Sequence, residues 1–373
     1  MIYFDNAATS RKKPEAVYEA FNYYVREVGT SPGRGSYSMA IQASRMLFQT
    51  RKAVARFFGT QDPNNVVFTK NSTEAINLFF RGFLRKGDHV LITPFEHNAV
   101  LRPLHMMKEE GIIDYTVISE EAVYSPESSL SPYVKPNTRL FAATLASNLT
   151  GQVIFSPGLA AEVHRLGLSL FLDASQGAGK IRINMNEDGV DYLAFTGHKD
   201  LMALPGIGGF VSCDRVDLKP LIQGGTGIHG ESYVNPEAFP DAYEAGTLNM
   251  PAIWSLKAAI EHLQNCFDEI SKQENYLIEY LLLKMKQLPN VLVYRAEKTR
   301  VSTICFNISG IASSEVVRIL DKASICVRGG IHCAILAHET LGTVETGAVR
   351  VSLNYMNTIE EIDCFIDVIK GIS

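Results

Sequence analysis

The sequence predicts an α/β layer sandwich: a mainly parallel sheet of seven strands, followed by a small α+β unit. Three observations predict it. Short apolar runs alternate with helix-period segments between about residues 66 and 212. Several of those runs are apolar throughout, as expected for strands covered on both faces. After Pro251 the alternation gives way to one long helical stretch and a strand-rich tail. Alternation of strand and helix places helices on the faces of a sheet.

The elements follow in chain order. A helix is predicted from Pro14, because Val17, Ala20, Phe21, Tyr24, Val25 and Val28 recur at helical spacing and Gly29 can end it. A turn-rich patch, Thr30 to Gly35, separates it from a second helical pattern over about Ala40 to Phe58. The strand candidates are Val66–Thr69, His89–Thr93, Tyr115–Ile118, Leu140–Thr144, Leu168–Leu172, Tyr192–Thr196 and Gly208–Ser212. Asn71 and Glu74 stand three apart, a capping-box-like start for a helix ending near Arg85. The tail is read as a long helix to about Leu288, strands Val291–Tyr294 and Ser302–Asn307, and a helix near Ser314–Lys322. A strand near Val349–Leu353 and a last helix opening at Thr358 complete it. No repeat or low-complexity tract interrupts the order.

The chain has 373 residues. At roughly 150 residues per domain, that is one large or two ordinary domains. The boundary is placed near Pro251: residues 1–250 as the large unit, with room for the N-terminal segment to pack on the small one, and 251–373 as the linking helix and small unit.

Composition narrows function. Apolar residues make up 46% and charged residues 20%, so a sizeable core can form. The net charge of −5 argues against a dedicated nucleic-acid binder, which needs a basic excess against phosphates. It leaves room for small anions bound at a local positive site. No apolar run reaches the ~20 residues of a membrane span. The start, Met1-Ile2-Tyr3-Phe4-Asp5-Asn6, has no basic leader, and a cytoplasmic location is expected. The six cysteines form no CxxC pair. They are too sparse for a disulfide scaffold, suggest no metal site, and read by default as small buried residues.

Three stretches carry chemistry. Thr196-Gly197-His198-Lys199 follows a strand candidate. A lysine there can hold an aldehyde cofactor as a Schiff base, although most lysines are simply solvated. Asp173 closes the apolar run Phe171-Leu172, and open α/β sheets put their sites at such strand ends. An acid facing a pyridine nitrogen keeps it protonated; a plain helix cap is the blander reading. Ser72-Thr73 opens a helix, where free N–H groups and hydroxyls attract anions, unless they only cap it. The one GxGxxG string, Gly225 to Gly230, follows no strand candidate directly and opens no helix, and no GxxxxGK[ST] is present, which speaks against nicotinamide-dependent dehydrogenases and P-loop enzymes.

In this order the motifs resemble the cysteine desulfurase family of class V, fold-type I pyridoxal-phosphate enzymes. The likeness runs from Tyr3-Phe4-Asp5-Asn6-Ala7-Ala8-Thr9 to Val349-Arg350-Val351-Ser352. It is nearest a sparsely characterised branch, through Arg328-Gly329-Gly330-Ile331-His332-Cys333-Ala334. The chain departs from the family at Tyr37, at Ala203 to Gly206, at Ile331 and at Ile335, none of them a cofactor ligand.

The resemblance implies pyridoxal phosphate as cofactor and roles residue by residue. Lys199 would carry the cofactor and take the substrate's α-proton. Asp173 would face the ring nitrogen, Gln176 the ring hydroxyl, and His97 would stack on the ring. Asn148 would lie beside the ring oxygen and the substrate. Ser72, Thr73, Thr196 and His198 would hold the phosphate. Thr247 would reach the phosphate of a neighbouring subunit, which implies a homodimer. Arg350, with Asn6 nearby, would clamp the substrate carboxylate as a planar two-pronged donor.

Cys333 decides the reaction class. In a glycine-bearing loop beside His332 and Arg328, it would attack the sulfur of L-cysteine, take a persulfide and leave alanine. The other cysteines, 213, 266, 305, 326 and 364, are read as core. The implied partners are L-cysteine or a related amino acid and a sulfur-acceptor protein, with no nucleic acid and no membrane. Three alternatives stay open: a lyase for selenocysteine or cystine, a class V aminotransferase, and a scaffold that kept the fold without the activity.

Overall fold

The computed structural model describes residues 1–125, 130–228 and 230–372. Its thirteen strands are β1 (Ile2–Tyr3), β2 (Val66–Thr69), β3 (His89–Ile92), β4 (Asp114–Val117), β5 (Thr138–Thr144), β6 (Ser169–Asp173), β7 (Tyr192–Thr196), β8 (Gly208–Ser212), β9 (Val291–Val293), β10 (Thr303–Ile308), β11 (Ile325–Cys326), β12 (Arg328–Gly330) and β13 (Ala348–Ser352). The seven expected runs form one sheet in the order β2-β8-β7-β6-β5-β3-β4. Strands β4, β3, β5, β6 and β7 are parallel, and β8 runs against both of its neighbours.

The apolarity of the central strands has the expected cause. Along β6, Leu170 and Leu172 enter one core cluster while Phe171 between them enters another. Along β7, Leu193 and Phe195 likewise oppose Ala194. Both faces are therefore dry, as period-2 geometry requires of a covered strand.

The helix Ser72–Phe83 covers one face. Ile76, Phe79, Phe80 and Phe83 make its apolar stripe, and all are buried. Phe79 stacks on Phe171 at 4.7 Å and on Phe210 at 5.4 Å. Truncating such a buried ring costs about 3–5 kcal/mol, so Phe79→Ala would loosen this helix first. Asn71 caps it, its side chain accepting from the Glu74 N–H at 3.0 Å. The packing aims the helix N-terminus at the carboxyl edge of the sheet. Thr144, Asp173 and Thr196 end β5, β6 and β7 along that edge, with Thr144 directly opposite Asp173.

The tail forms an antiparallel sheet, β12-β13-β10-β9, with its own core of Ile304, Phe306, Val349, Val351, Ile362 and Phe365. Strand β1 pairs in parallel with β11, and Phe4 is buried in this same core, so the N-terminal segment packs here. One helix, Met250–Met285, buries Ile253, Leu256 and Ile260 with the large sheet, and Leu277, Ile278 and Leu281 with the small one. Its dihedrals break at Cys266 (φ −124°) between the two halves. The last helix, Ile359–Ile372, opens on a complete capping box: Thr358 and Glu361 each accept from the other's N–H.

One expectation needs correction. Cys364 is exposed on the last helix, not core, and Cys213, Cys266 and Cys326 are only half-buried; Cys305 alone is fully buried. Among the described residues, no helix is long and apolar enough to cross a membrane.

Candidate active site

The strand ends and the helix N-terminus enclose a cavity of about 230 Å³. Lys199 lies half-buried in the turn after β7 and lines this cavity, so it is not a freely solvated lysine. Burial pushes its amine below the ordinary lysine value; Asp173 pulls it back, and Arg350 pushes it down again. Such an amine gives up its proton more easily than a solvated lysine, which favours its use as a nucleophile or base. Asp173 faces it from the end of β6. Burial raises that carboxyl, and the Ser175 hydroxyl and N–H, both donating to Oδ1, oppose the rise. Gln176 also lines the cavity and donates to the Ala7 carbonyl at 2.8 Å, tying the N-terminal segment to the site.

One end of the cavity suits an anion. Asn71 satisfies the Glu74 N–H, which leaves the N–H groups of Ser72 and Thr73 without helical partners. Thr196 adds a buried hydroxyl with no partner. His198 is held neutral, pushed down to about 4 by burial and by Lys199 and Lys13. Attraction here thus comes from aligned N–H groups and hydroxyls rather than from an imidazolium. A close approach makes this possible. A Cβ on Gly208, at the start of β8, would meet the Asn71 backbone at 2.7 Å. Only glycine lets β8 lie so near the turn that presents Ser72.

His97 forms another wall. Its Nδ1 accepts from the Ala99 N–H at 3.0 Å, capping the helix Asn98–Glu109, so its proton sits on Nε2. Burial, then Lys199 and Arg328, push it down to about 3, and the ring is neutral. Asn148 links this wall to the cysteine. Its amide donates to the His332 carbonyl at 2.7 Å, while its Oδ1 is buried without a partner. The Asn98 N–H donates to the Cys333 carbonyl at 2.8 Å. Cys333 is half-buried and does not line the cavity, but its turn is bonded to the cavity wall from both sides. His332 and Cys333 both have left-handed backbone, φ 53° and 55°, which is strained for residues other than glycine.

Arg350 is buried at 1% exposure on β13, not an exposed strand arginine. It donates to Asp5 at 2.7 Å and to the Asn148 carbonyl at 2.9 Å, and its Nε has no partner. Asn6 is buried as well, its amide donating to the Ser352 carbonyl at 3.0 Å. Thr247 lies apart from the Lys199 cavity. It is exposed at a second cavity of about 310 Å³, with Lys70, Leu221 and Ile222. Sequence reasoning missed two groups. Asp5, the partner of Arg350, stood inside a quoted motif without a role. Glu96 is fully buried next to His97, accepts from the Thr144 N–H at 2.9 Å, and is pushed up to about 8 by burial.

The family model described as aminotransferase class-V matches residues 2–365. The chain belongs to that family. A probable cysteine desulfurase of Methanothermobacter thermautotrophicus is 33% identical over 100% of this chain and 94% of its own length. A longer one from Mycobacterium leprae is 30% identical, and the chain spans 62% of it. The apo structure of a cysteine desulfurase from Thermococcus onnurineus has a TM-score of 0.90, 29% identity, and covers 100% of this chain and 94% of that one. The expected fold-type I architecture is therefore the one present.

Class V enzymes work with pyridoxal phosphate, and the cavity fits that group. An amine, a carboxylate and a helix N-terminus surround one space, as its aldehyde, ring nitrogen and phosphate demand. The two buried polar atoms without partners on its walls, Thr196 Oγ1 and Asn148 Oδ1, need such a polar ligand.

Proposed function

We propose that this chain is a pyridoxal-phosphate-dependent cysteine desulfurase that converts L-cysteine to L-alanine with a persulfide on Cys333. One observation carries the reading. The turn bearing Cys333 is bonded, through Asn148 and Asn98, to the wall of the cavity that holds Lys199 and Asp173. The likeness to named desulfurases supports it.

When bound, the cofactor supplies an aldehyde for the substrate amine and a ring that draws electrons from the α-carbon. The chain's own groups do the rest. Asp173 keeps a proton on the ring nitrogen, Gln176 faces the ring hydroxyl, and His97 covers the ring as a neutral imidazole. Ser72, Thr73, Thr196 and His198 hold the phosphate. Lys199 holds the aldehyde at rest and, once displaced, moves the α-proton. Arg350 and Asn6 orient the substrate carboxylate, which must share Arg350 with Asp5. The Cys333 thiolate attacks the substrate sulfur; the Cβ–S bond breaks, the sulfur stays on Cys333, and alanine leaves. Thr247 completes the phosphate site of a second copy in a homodimer, and a sulfur-acceptor protein takes the persulfide.

The test is a product assay with cysteine, selenocysteine and cystine on the wild type and Cys333→Ala. Loss of alanine from cysteine, with selenocysteine still turned over, is expected. Full alanine production from cysteine by Cys333→Ala would overturn the persulfide step and favour a lyase that needs no enzyme thiol.

A further inference from the structure

Beside the reactive lysine lies a buried set of charges with no role in the chemistry above. Asp200 follows Lys199 directly. Its carboxylate accepts from the Gly177 N–H at 2.7 Å, next to Gln176, and lies 3.3 Å from the Lys180 ammonium. Lys180 is also 3.2 Å from Glu274 on the long helix. It donates to the Ser302 hydroxyl and, at 3.1 Å, to the Leu353 carbonyl. Ser302 donates to Glu274 at 2.7 Å, and Glu274 accepts from the Tyr355 N–H at 3.2 Å. The side chains of Lys180, Asp200 and Glu274 are 8%, 4% and 7% exposed.

Ions buried this deeply stabilise a fold poorly, since desolvation offsets their attraction, and an apolar set of equal volume would hold as well. What this set does is join parts. It ties the Lys199 turn to the Gln176 turn, and both to Leu353, just past the β13 residues that carry Arg350. It also places a carboxylate on the residue next to the reactive lysine, with Lys180 as its counter-ion.

We propose that Lys180 and Asp200 are positioning residues for the Lys199 step: they hold the Lys199 turn against the cofactor wall and the substrate-binding strand, and their paired charges set the proton affinity of the Lys199 amine. The inference rests on the cofactor reading above. The charged groups facing Lys199 are Asp173, Asp200, Arg350 and Arg328, with His97 and His198 neutral beside it. Removing Lys180 leaves Asp200 uncompensated and strengthens its pull on the Lys199 proton. Removing the charge of Asp200 weakens that pull. The two substitutions therefore move the amine in opposite directions, whereas damage to packing would not.

The experiment uses the full-length protein, with and without cofactor. Its first readout is the rate at which cofactor-free protein takes up pyridoxal phosphate across pH, which follows the free amine. Its second is the pH midpoint of the visible absorbance of the loaded protein. Lys180→Met is expected to raise both midpoints, and Asp200→Asn to lower them, each by at least about half a pH unit. Lys180→Arg should restore the wild-type midpoints. If Lys180→Met does not fold, Lys180→Met with Glu274→Gln removes one charge of each sign, keeps Asp200, and carries the same expected rise. Normal uptake with midpoints that do not move, or move together, overturns this inference alone. A wild type that takes up no cofactor overturns it together with the proposed function.

Discussion

At the scale of single residues, His97 carries two loads that can be separated. Its ring walls the cavity, and its Nδ1 caps the helix Asn98–Glu109. Asparagine is a good cap and alanine a poor one, a difference of about 1 kcal/mol. His97→Ala is therefore expected to lose about that much stability in denaturant melts of cofactor-free protein, and His97→Asn close to none. Both should bind the cofactor more weakly, because neither replaces the ring. Equal melts for the two variants would show that the cap contributes nothing. Lys199 and Asp173 were legible at this scale as candidates because Asp173 ends an apolar strand run and Lys199 follows one closely, and strand ends are where open α/β sheets place chemistry. Asp5 and Glu96 were not. Their roles depend on Arg350, 345 residues away, and on Thr144, 48 away, which no local pattern displays.

At the scale of elements, the Cys333 turn shows why a motif is legible while its conformation is not. The cysteine beside His332 was readable as a candidate thiol from its motif. The two consecutive left-handed residues were not, because that geometry is imposed by the bonds from Asn148 and Asn98. Left-handed backbone costs about 1–2 kcal/mol for a residue with a Cβ and nothing for glycine. Cys333→Gly is therefore expected to be more stable than Cys333→Ala by about 1 kcal/mol, with persulfide formation abolished in both. Indistinguishable denaturation midpoints would mean the turn relaxes rather than holds. The start of β8 gives a second prediction. Gly208→Ala must displace the Asn71 turn, because 2.7 Å is closer than a Cβ can sit to backbone. Weaker cofactor binding is expected with little change in kcat at saturating cofactor, read from titration of the cofactor-free protein. Unchanged affinity would separate Ser72 and Thr73 from the phosphate.

At the scale of the whole molecule, the large sheet was legible and the small one only in part. Every large-sheet strand is a run of four residues or more, and in all but the half-buried edge strand β4 the run is mostly buried, so that its apolarity speaks for itself. Strands β1, β11 and β12 are two or three residues long, too short for any period, and exist because β1 and β13 offer them edges to pair with. The division near Pro251 stays a proposal, favoured by the way the long helix shares its two halves between two cores. The buried titratable groups then give the molecule a stability profile with two opposed slopes. His97 and His332 are pushed down to about 3 and His198 to about 4, chiefly by burial. Below the ordinary value of 6.5 the unfolded chain takes up protons that these rings refuse, so stability falls as pH drops from there toward 4. Glu96 acts in the other sense. Its carboxyl, ordinarily at 4.5, keeps its proton to about 8 in the fold, so stability is lost as pH rises through that window. Each group contributes at most about 1.4 kcal/mol per pH unit. Glu96→Gln removes the share of the alkaline slope that Glu96 contributes and leaves the acid one. Denaturant midpoints of cofactor-free protein, taken from pH 4 to 8, should show the variant gaining on the wild type steadily above about 4.5. A difference between the two that does not change with pH would mean that Glu96 is already ionised inside the fold.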